Sequence, residues 1–514
     1  MKFRLLKILS LPLCLLLLSG CWQAEPDVPD IGDLMTEEEP APTVQEDIIL
    51  PAEFRLPYSP DQTLDPITCS DGMQQVAASL LYEGLFELDE DLEPQMLLCR
   101  SVAFDEEALT CTLRLREGAL FSDGSPLTAE DVVKSLKRAA VSDRYGARFR
   151  RVASISESEG AVVITMTAMN RALPALLDIP IVKAGTETDL VPIGTGPYRF
   201  VSDESGARLE ENDHWWSGER LPVDTVQLLS AADRDTMLYQ FTSRDTQLIT
   251  ADLTGTAPIS VTGSIGFHDA DTTILQYVGF NTTRAPFDNA ALRTALEKGF
   301  NREFVVSATL SGHGRAAHFP ISPVSPLYPH ALEDNYSFDA FATAMTEAGW
   351  NDGEPQTVTL LVNSENSFKR SAAEHIADSL SAFDLEVEVQ ALPWEEYTAA
   401  LAAGDFDLYY GEVKLTADWD LAPLLGTGGS LNYGGWSNVR TDNLLATLRT
   451  STADTRAENA KLLCDHLSQT NPILPVCFKS TTVLVQSGVI EGLSPTAADP
   501  FYHLSACSIH LRQD

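Results

Sequence analysis

The stretch ILQYVGFNTTRAPFDNAALRTALEKGFNREFVV, residues 274–306, contains the change of hydrophobic period that decides the fold class. Its opening, 274–280, is apolar and rich in β-branched and aromatic residues, which predicts a buried strand. Asp288 is expected to cap a following helix, because its carboxylate can accept the free backbone N–H groups of the first turn. Apolar residues then recur at helical spacing, and Asn301 is expected to cap a second helix that begins at Arg302. A strand followed by two capped helices predicts an α/β unit.

The same stretch, read as FNTTRAPFDNAALRTALEKGFNRE, resembles a segment of bacterial extracellular solute-binding proteins of family 5, which serve peptide ABC transporters. Other segments resemble this family in the same chain order, from about residue 49 to about 505. They are LDP at 64–66 with LYEGL at 81–85, LREGALFSDGSPLTAEDVVKSLKRA at 115–139, GTGPY at 194–198, DLYYGEVKLTADWDLAPLL at 407–425 and NPILPVCFKSTTVLVQSGVIEGL at 471–493. Because several of these segments are long and all are in order, the chain is identified as a member of that family.

Two of these regions also contain local helix signals. A helix is expected over 74–84, ended by Gly84, and Thr128 is expected to cap a helix that begins at Ala129.

The resemblance implies a periplasmic-binding-protein-like α/β fold of type II, cluster C, with two α/β lobes joined by a hinge and an extra domain inserted in the first lobe. Hinge crossings are expected near 268–275 and 474–480. The expected boundaries are a lipoprotein signal peptide at 1–20, an acidic flexible tether at 21–48, lobe I at 49–65, 185–270 and 478–514, the inserted domain at 66–184, and lobe II at 271–477.

The N-terminus has the features of an export signal. Three cations within the first seven residues precede an apolar run at 8–18, which is too short to span a bilayer comfortably. The run ends in Leu-Ser-Gly followed by Cys21, which resembles the lipobox of bacterial lipoproteins and implies a lipid anchor on Cys21. The alternatives are a plain secretory signal or an uncleaved anchor. We therefore expect an extracytoplasmic protein held on the bacterial cell membrane.

Charge narrows the choice of partners. The 514 residues include 35 Lys and Arg against 74 Asp and Glu, a net charge of −39. Such an acidic chain argues against nucleic acid or an anionic lipid face as a partner. Residues 22–47 carry nine acids and no Lys or Arg, which predicts a self-repelling tether rather than a folded segment.

Neither a metal site nor an enzyme is predicted. The sequence contains no HExxH, GxSxG or CxxC pattern. His313 and His318 lie five apart in a Gly-containing stretch, which is the wrong spacing for two ligands on one helix face. No cofactor is expected. Six cysteines follow Cys21, and they could form disulfides or be small buried side chains: Cys69, Cys99, Cys111, Cys464, Cys477 and Cys507.

A peptide-binding cleft needs a carboxylate for the ligand's amine, backbone groups for its main chain and aromatic walls for its side chains. Asp418 matches the family's aspartate that meets the ligand's α-ammonium; the alternatives are a helix cap or a surface acid. Trp394 could equally belong to the core. The full set that the resemblance implies as ligand-binding is Ser70, Asp71, Gly72, Trp394, Asp418, Trp419, Asn432, Tyr433 and Trp436.

The resemblance implies a monomeric, non-catalytic substrate-binding lipoprotein of an ABC importer. It would bind short peptides between its lobes and deliver them to a permease, whose ATPase subunits are separate chains. Three alternatives stay open at this point. They are binding of another solute such as a nickel chelate, haem or a sugar, a surface receptor that senses peptides without transport, and an exported hydrolase.

Overall fold

The strand predicted at 274–280 is the second half of a longer strand in the computed structural model, which describes residues 49–350 and 353–513. The strands are β1 (Arg55–Tyr58), β2 (Phe86–Leu88), β3 (Pro94–Met96), β4 (Cys99–Asp105), β5 (Thr110–Leu115), β6 (Val152–Ser158), β7 (Ala161–Met166), β8 (Tyr198–Asp203), β9 (Gly206–Glu211), β10 (Thr225–Ser230), β11 (Leu248–Ala251), β12 (Ile265–Phe280), β13 (Gly314–Ala316), β14 (Gln356–Asn363), β15 (Leu385–Leu392), β16 (Leu408–Lys414), β17 (Ile473–Gln486), β18 (Ile490–Glu491) and β19 (Ser508–Ile509). The helices are α1 (Gly72–Ser79), α2 (Ala129–Ala140), α3 (Arg234–Thr242), α4 (Ala290–Glu297), α5 (Arg302–Thr309), α6 (Phe338–Glu347), α7 (Ser367–Leu380), α8 (Trp394–Ala403), α9 (Ala422–Leu425), α10 (Val439–Thr450) and α11 (Ala453–Thr470).

The largest sheet has the strand order β11-β17-β12-β16-β14-β15, and β13 also pairs with β17. Successive residues of β12 point to opposite faces, as the strand geometry requires. Val278 and Phe280 pack with one apolar cluster, which includes residues of α4 and α7. Leu275 and Tyr277 pack with a second cluster, which includes residues of α10 and α11. The sheet is therefore covered on both faces, as expected for an α/β layer.

Two smaller sheets belong to the parts of the chain predicted as lobe I and the inserted domain. The first has the order β1-β10-β9-β8, and the second has the order β4-β5-β7-β6. Helix α2 covers the second sheet and begins with a capping box, in which Asp131 N donates to Thr128 Oγ1 and Thr128 N donates to Asp131 Oδ2. The cap at Thr128 and the α/β composition agree with the sequence-based expectation.

Two local predictions were wrong by short distances. Helix α4 is capped by Asn289, whose Oδ1 accepts a hydrogen bond from Ala291 N, and not by Asp288. Both side chains can accept such a bond, so the adjacent Asp and Asn could not be ranked from the sequence. Asn301 caps α5 as predicted. A helix was expected over 74–84, whereas α1 ends at Ser79.

The LYEGL and GTGPY segments meet at one junction, where close packing explains their glycines. A Cβ atom on Gly194 would lie 2.1 Å from Leu81 O, and one on Gly196 would lie 2.5 Å from Leu81 C. Gly84 does not end α1; a Cβ atom there would lie 2.7 Å from Phe86 O and 3.2 Å from the distant Asp178 C. These glycines are therefore needed for backbone approach between segments far apart in the chain.

The carboxylate of Glu83 holds this junction together. Its oxygens accept hydrogen bonds from Trp215 Nε1 at 2.9 Å, Trp216 Nε1 at 2.8 Å and Thr195 Oγ1 at 2.9 Å. Burial raises the pKa of Glu83 to about 7, and the three hydrogen bonds act in the opposite direction. The motif residues at this junction thus have a structural role.

The structure also shows the state of the cysteines and the character of the helices. The six cysteines after Cys21 are free and buried. None of the helices that the structure describes has the length and apolar character needed to span a membrane. Cys21, the signal peptide and the tether lie outside the described residues. The domain boundaries stay a prediction; helix α1, which falls in the predicted insertion, packs with the core of β1 and β11.

Candidate functional site

The candidate site is a cavity of about 510 Å³. Residues from the segments predicted as lobe I, the inserted domain and lobe II all line it. Helix α1 contributes Gln75, Ala78 and Ser79, and the loop after β16 contributes Thr416 and Ala417. The segment 143–148 closes another side. A cavity of this size can enclose a small ligand such as a short peptide.

The floor of the cavity lies where the long strands of the large sheet change register. Between Asp271 and Leu275 of β12 the pairing with β17 shifts, and Thr272 and Thr273 line the cavity at this point. Thr272 Oγ1 donates to Lys479 O and Thr273 Oγ1 donates to Leu415 O. The irregularity coincides with the position predicted for the hinge crossings, whose role as a hinge stays a prediction.

Cations are prominent on the cavity wall. Arg144 and Arg148 both lie close to the Tyr145 ring, with guanidinium carbons 5.1 and 5.0 Å from its centroid. Arg148 forms an ion pair with Asp178, whose side chain is 5% exposed. Arg144 Nη1 donates to Pro66 O and Cys69 O at 3.4 and 3.3 Å. We call Arg144, Arg148 and the next residue described, Lys414, the wall cations.

Lys414 is the last residue of β16, and it pairs there with Ile274 of β12. Its side chain reaches the solvent of the cavity but lies in a recess, so that desolvation lowers its pKa. The positive charges of Arg148 and Arg144 lower it further, and Asp178 acts in the opposite direction. An ammonium in this position is held among other cations.

Asp418, the predicted amine anchor, follows Thr416 and Ala417 of the cavity lining in the chain but does not itself line the cavity, and it is only 6% exposed. Its Oδ2 accepts a hydrogen bond from Asn170 Nδ2 at 2.8 Å. Its Oδ1 accepts bonds from Thr416 Oγ1 at 2.5 Å and from Asp420 N at 3.3 Å. The carboxylate is therefore satisfied by neutral donors in this conformation.

The same loop makes a second contact with the segment predicted as the inserted domain. Arg151 Nε and Nη2 both lie 3.0 Å from Asp420 Oδ2. Asn170, the partner of Asp418, is 3% exposed. We call the loop 416–420 together with Asn170 and Arg151 the clasp.

Trp419 is not part of the cavity lining in this conformation. It is 2% exposed and packs edge-on against Phe478, in the core of the large sheet. Its backbone has a positive φ of 53°, an uncommon conformation for a bulky residue. The tight turn at Trp419 places Asp418 and Asp420 toward the clasp partners while the indole points into the core.

The predicted residues of the loop 432–436 support one another rather than the cavity. Asn432 Nδ2 donates to Gly426 O and Trp436 O, which closes the loop. Tyr433 packs edge-on against Tyr409. The Trp436 ring lies under the guanidinium of Arg293 at 5.3 Å. This arrangement stabilises the loop beside α10.

The other predicted residues lie apart from the cavity lining. Trp394 begins α8, is 54% exposed and stacks on Tyr397. Asp71 is the N-cap of α1, where its Oδ1 accepts a hydrogen bond from Met73 N, and Ser70 is exposed beside it. Gly72 has room for a side chain, since an added Cβ atom would come only within 4.0 Å of Thr250 Oγ1. Ser70, Asp71 and Gly72 therefore lie at the start of helix α1, whereas a later turn of that helix lines the cavity.

The wall cations were missed by the sequence analysis, although two signals were present. Four arginines occur within 144–151, a basic run in a strongly acidic chain. Lys414 lies inside the DLYYGEVKLTADWDLAPLL segment, four residues before Asp418. The two signals are far apart in the chain, and only the fold brings them to one cavity.

The two histidines considered as metal ligands have separate partners. His313 Nδ1 lies 3.0 Å from Asp269 Oδ2, and His318 Nδ1 lies 3.0 Å from Glu297 Oε1. Across residues 49–350 and 353–513, no group of three or more His, Cys, Asp or Glu side chains has the arrangement of a metal site.

Comparison with known proteins places the chain in a family. Residues 93–431 match the sequence profile described as bacterial extracellular solute-binding proteins, family 5 middle. The chain is 25% identical over 460 residues to a glutathione-binding protein, GsiB, of Pectobacterium atrosepticum, covering 83% of this chain and 87% of that protein.

Solved structures share the fold. The oligopeptide-binding protein AppA from Bacillus subtilis, in complex with a nonapeptide, superposes with a TM-score of 0.59 at 20% identity, over 90% of this chain and 99% of that one. A nickel ABC transporter protein from Bacillus halodurans superposes with a TM-score of 0.71 at 19% identity, over 88% and 98%. These likenesses confirm the predicted periplasmic-binding-protein-like α/β fold. Because the family profile covers well over half of the chain, this protein belongs to the bacterial extracellular solute-binding proteins of family 5, the substrate-binding components of ABC transporters.

Proposed function

We propose that this protein is the substrate-binding lipoprotein of an ABC importer and binds short peptides in the cavity between its lobes. The observation that carries the proposal is the cavity itself. It is about 510 Å³ in volume, its wall carries cations, and the buried residue Asp418 directly follows Thr416 and Ala417 of its lining in the chain. A zwitterionic ligand needs groups of both charges at such a site.

Asp418 is the proposed anchor for the peptide's α-ammonium. In the present conformation the Asn170 amide donates to Asp418 at 2.8 Å, where an ammonium donor would otherwise sit. A charged donor forms a stronger bond with a carboxylate than a neutral amide does. The ligand's amine would therefore displace Asn170 and take over the carboxylate.

Delivery follows from closure of the lobes around the peptide. A ligand shifts the balance of open and closed forms only by its differential affinity for the closed form. The closed, loaded monomer would then dock on a permease whose ATPase subunits are separate chains. No catalytic step is part of this function.

Attachment through Cys21 would keep the protein at the extracytoplasmic membrane surface, and the tether would hold the globular part away from it. Metabolic labelling with palmitate tests this directly. The Cys21→Ala form should lose the label, and retention of the label would contradict lipidation at Cys21.

Calorimetry with defined peptides tests the peptide function. Glutathione, trialanine and tetraalanine serve as probes. Glutathione is included because the relative from Pectobacterium atrosepticum is named as a glutathione-binding protein. At least one of them should bind, and N-acetylation should weaken its binding at least ~25-fold, since truncating one member of a buried charge pair costs roughly 2–5 kcal/mol.

Two variants separate the amine anchor from its neighbour. Asp418→Asn should lose affinity for the free peptide and become insensitive to acetylation, whereas Asp420→Asn should keep that sensitivity. Equal binding of acetylated and free peptides by the parent protein would contradict the anchor. Binding of a nickel chelate with no binding of any peptide would replace the proposed ligand class.

A further inference from the structure

A second cavity, of about 350 Å³, adjoins the first and takes no residue from the segment predicted as lobe II. Its lining comes mainly from the stretch between the end of α1 and the strands β2 and β3, from the segment 215–219 after β9, and from the C-terminal segment 496–505. We call it the acidic cavity, because among the described residues no lysine or arginine lines it, whereas five carboxylates do: Glu83, Glu87, Asp178, Glu219 and Asp499.

Three of these carboxylates are already used within the protein. Glu83 accepts the three hydrogen bonds of the junction described above. Asp178 is paired with Arg148, and Ser505 Oγ donates a hydrogen bond to Glu219. These three groups therefore hold the wall of the acidic cavity together.

Glu87 and Asp499 remain available to a ligand. Both are half-buried, and within residues 49–350 and 353–513 neither has an ion-pair partner. Desolvation raises the pKa of Glu87 to about 7, and the charge of Asp499 adds to the shift. Desolvation also raises the pKa of Asp499 to about 6, against the hydrogen bonds from Phe501 N and Ser79 and the charge of His503. A cation bound beside these two acids would stabilise their ionised forms.

Aromatic rings form much of the remaining wall. Tyr502 is only 4% exposed, yet its hydroxyl has no hydrogen-bond partner among the described residues. A buried polar group without a partner is costly, so this hydroxyl is poised to accept a hydrogen bond from a ligand. Faces of aromatic rings also attract cations. The other rings that line the cavity are those of Tyr82, Phe86, Trp215, Trp216 and Phe501.

We propose that the acidic cavity binds an organic cation, a primary ammonium or a guanidinium on a short chain, with Glu87 and Asp499 as its counter-ions and the Tyr502 hydroxyl as a further acceptor. The inference goes beyond the proposed function and does not rest on it. Carboxylates would bind the cation by charge-assisted hydrogen bonds, and the rings would contact its methylene groups. The cation has two possible sources, a free amine or the basic side chain of a peptide in the adjoining cavity.

Binding of such a cation should release protons. Without ligand, Glu87 and Asp499 hold protons below about pH 7 and about pH 6. The cation favours their ionised forms, so its affinity should rise between pH 5 and 8. Arg116 lies over the Trp216 ring, 4.1 Å from its centroid. The other titratable groups facing these acids are Glu83, Asp89, Asp178, Glu219, Tyr502 and His503.

Calorimetry with 1,4-diaminobutane tests the site without any peptide. The parent protein should bind the diamine, whereas 1,4-butanediol, which has the same chain and no charge, should not bind. Titrations at pH 6.5 in two buffers of different ionisation enthalpy should show proton release, and affinity should be higher at pH 8 than at pH 5.5. Absence of diamine binding, or equal binding of the diol, would overturn the proposal.

Variants assign the diamine to this cavity rather than to another acidic surface. Glu87→Gln should weaken its binding at least ~10-fold, the size of one hydrogen bond to a charged group, and Tyr502→Phe roughly threefold. Glu107→Gln removes an exposed acid from the turn between β4 and β5 and should bind as the parent does. Thermal unfolding confirms that the variants are folded. Equal affinities of Glu87→Gln and Glu107→Gln would rule out the site.

Two peptides, Ala-Lys-Ala and Ala-norleucine-Ala, distinguish the sources of the cation. If a peptide side chain enters the acidic cavity, the diamine should compete with Ala-Lys-Ala, and Glu87→Gln should weaken only the lysine peptide. If the ligand is a free amine, saturating Ala-Lys-Ala should leave diamine affinity unchanged. Either result supports the cation site. Diamine binding with no binding of any peptide would contradict the peptide function and leave the cation site in place.

Discussion

The clasp and the wall cations come from neighbouring positions in two segments of the chain, 144–151 and 414–420, yet their charges have different surroundings. In the clasp, Asp420 is paired with Arg151 at 3.0 Å and Asp418 accepts hydrogen bonds from neutral donors. On the wall, Lys414 lies only four residues before Asp418, and desolvation together with the charges of Arg148 and Arg144 lowers its pKa. Charged groups with partners inside the protein stabilise contacts between its parts, whereas charged groups without such partners in a cavity are available to bind a ligand.

The difference suggests how adjacent residues can have separate roles, some in contacts across the cleft and others in binding a ligand inside it. The clasp stabilises contact between the loop 416–420 and the segment around 151–170. We expect the like charges of the wall cations to oppose that contact, so that the two together set how far the cleft opens without ligand.

Glu83 gives the largest expected effect and tests what happens to a buried carboxylate that has only neutral partners. Burial raises its pKa from 4.5 to about 7. The folded protein then keeps the proton up to about pH 7 while the unfolded chain releases it near 4.5, so stability should fall as the pH rises through this window. The expected loss is roughly 3 kcal/mol, measured by urea unfolding at several pH values.

Glu83→Gln isolates this contribution, because Glu87 and Asp499, with pKa values raised by burial to about 7 and about 6, titrate in the same range. The variant should be less stable at pH 5, since its amide nitrogen cannot accept from an indole N–H. Its stability should nevertheless depend less steeply on pH between 4.5 and 7. An unchanged slope would mean that the neutral donors keep Glu83 ionised in the folded state.

Arg151→Met removes the ion pair of the clasp and is the next largest change. The pair is partly buried, with side-chain exposures of 30% for Arg151 and 10% for Asp420. Its loss should favour the open form by roughly 1.5 kcal/mol, or about tenfold in the open-to-closed ratio. The radius of gyration of ligand-free protein, measured by small-angle X-ray scattering, should therefore increase.

Arg150→Met is a matched control, because Arg150 is the neighbouring arginine and is exposed. It removes the same charge without removing the clasp and should leave the scattering curve unchanged. If Arg151→Met and Arg150→Met behaved alike, the clasp would have no part in setting the opening of the cleft.

The contrast also explains what the sequence could predict. The caps at Thr128 and Asn301 depend on neighbours within one turn, and they were predicted correctly. The α/β fold followed from periodicity and from long family-like segments. The confusion of Asp288 with Asn289, and the helix end at Ser79 instead of Gly84, arose because capping ability and glycine each serve several roles.

The candidate site could be predicted less completely than the fold, because it depends on contacts between segments that are remote in the sequence. Asp418 was proposed from its motif alone, and its partner Asn170 lies 248 residues earlier in the chain. Trp419, next to Asp418, points into the core because its backbone has a positive φ. The hydrophobic pattern of the sequence does not reveal this backbone conformation. The free charges of Arg144 and Lys414 could be recognised only once the fold showed which cations lack carboxylate partners in the described structure.

Lys414→Arg tests the wall by pH rather than by loss of charge. Desolvation and the nearby Arg148 and Arg144 lower the pKa of Lys414. As the pH rises, the ammonium should therefore lose its proton earlier than an ordinary lysine, and affinity for a free peptide carboxylate should fall with it. The expected loss is roughly fivefold, since a neutral amine retains only part of a charge-assisted hydrogen bond.

An arginine at position 414 stays protonated throughout this range. Lys414→Arg should therefore hold its affinity in the alkaline range where the parent declines, as measured by calorimetry from pH 7 to 10 with the same free-acid peptide. A parallel decline in both proteins would assign the pH dependence to the peptide's own amine or to another group.

Tyr145 gives the smallest expected effect and tests whether its ring positions Arg144 and Arg148. The ring is 4% exposed, and the guanidinium carbons of Arg144 and Arg148 lie 5.1 and 5.0 Å from its centroid. Tyr145→Phe keeps this face and should leave affinity for a carboxylate ligand unchanged. Tyr145→Leu removes it and should weaken binding roughly threefold, the size of one weak cation–π contact. The same variant should bind the amidated peptide as the parent does, because only the carboxylate contacts the two cations. Equal losses for the free acid and the amide would instead show that Tyr145 shapes the cavity without positioning Arg144.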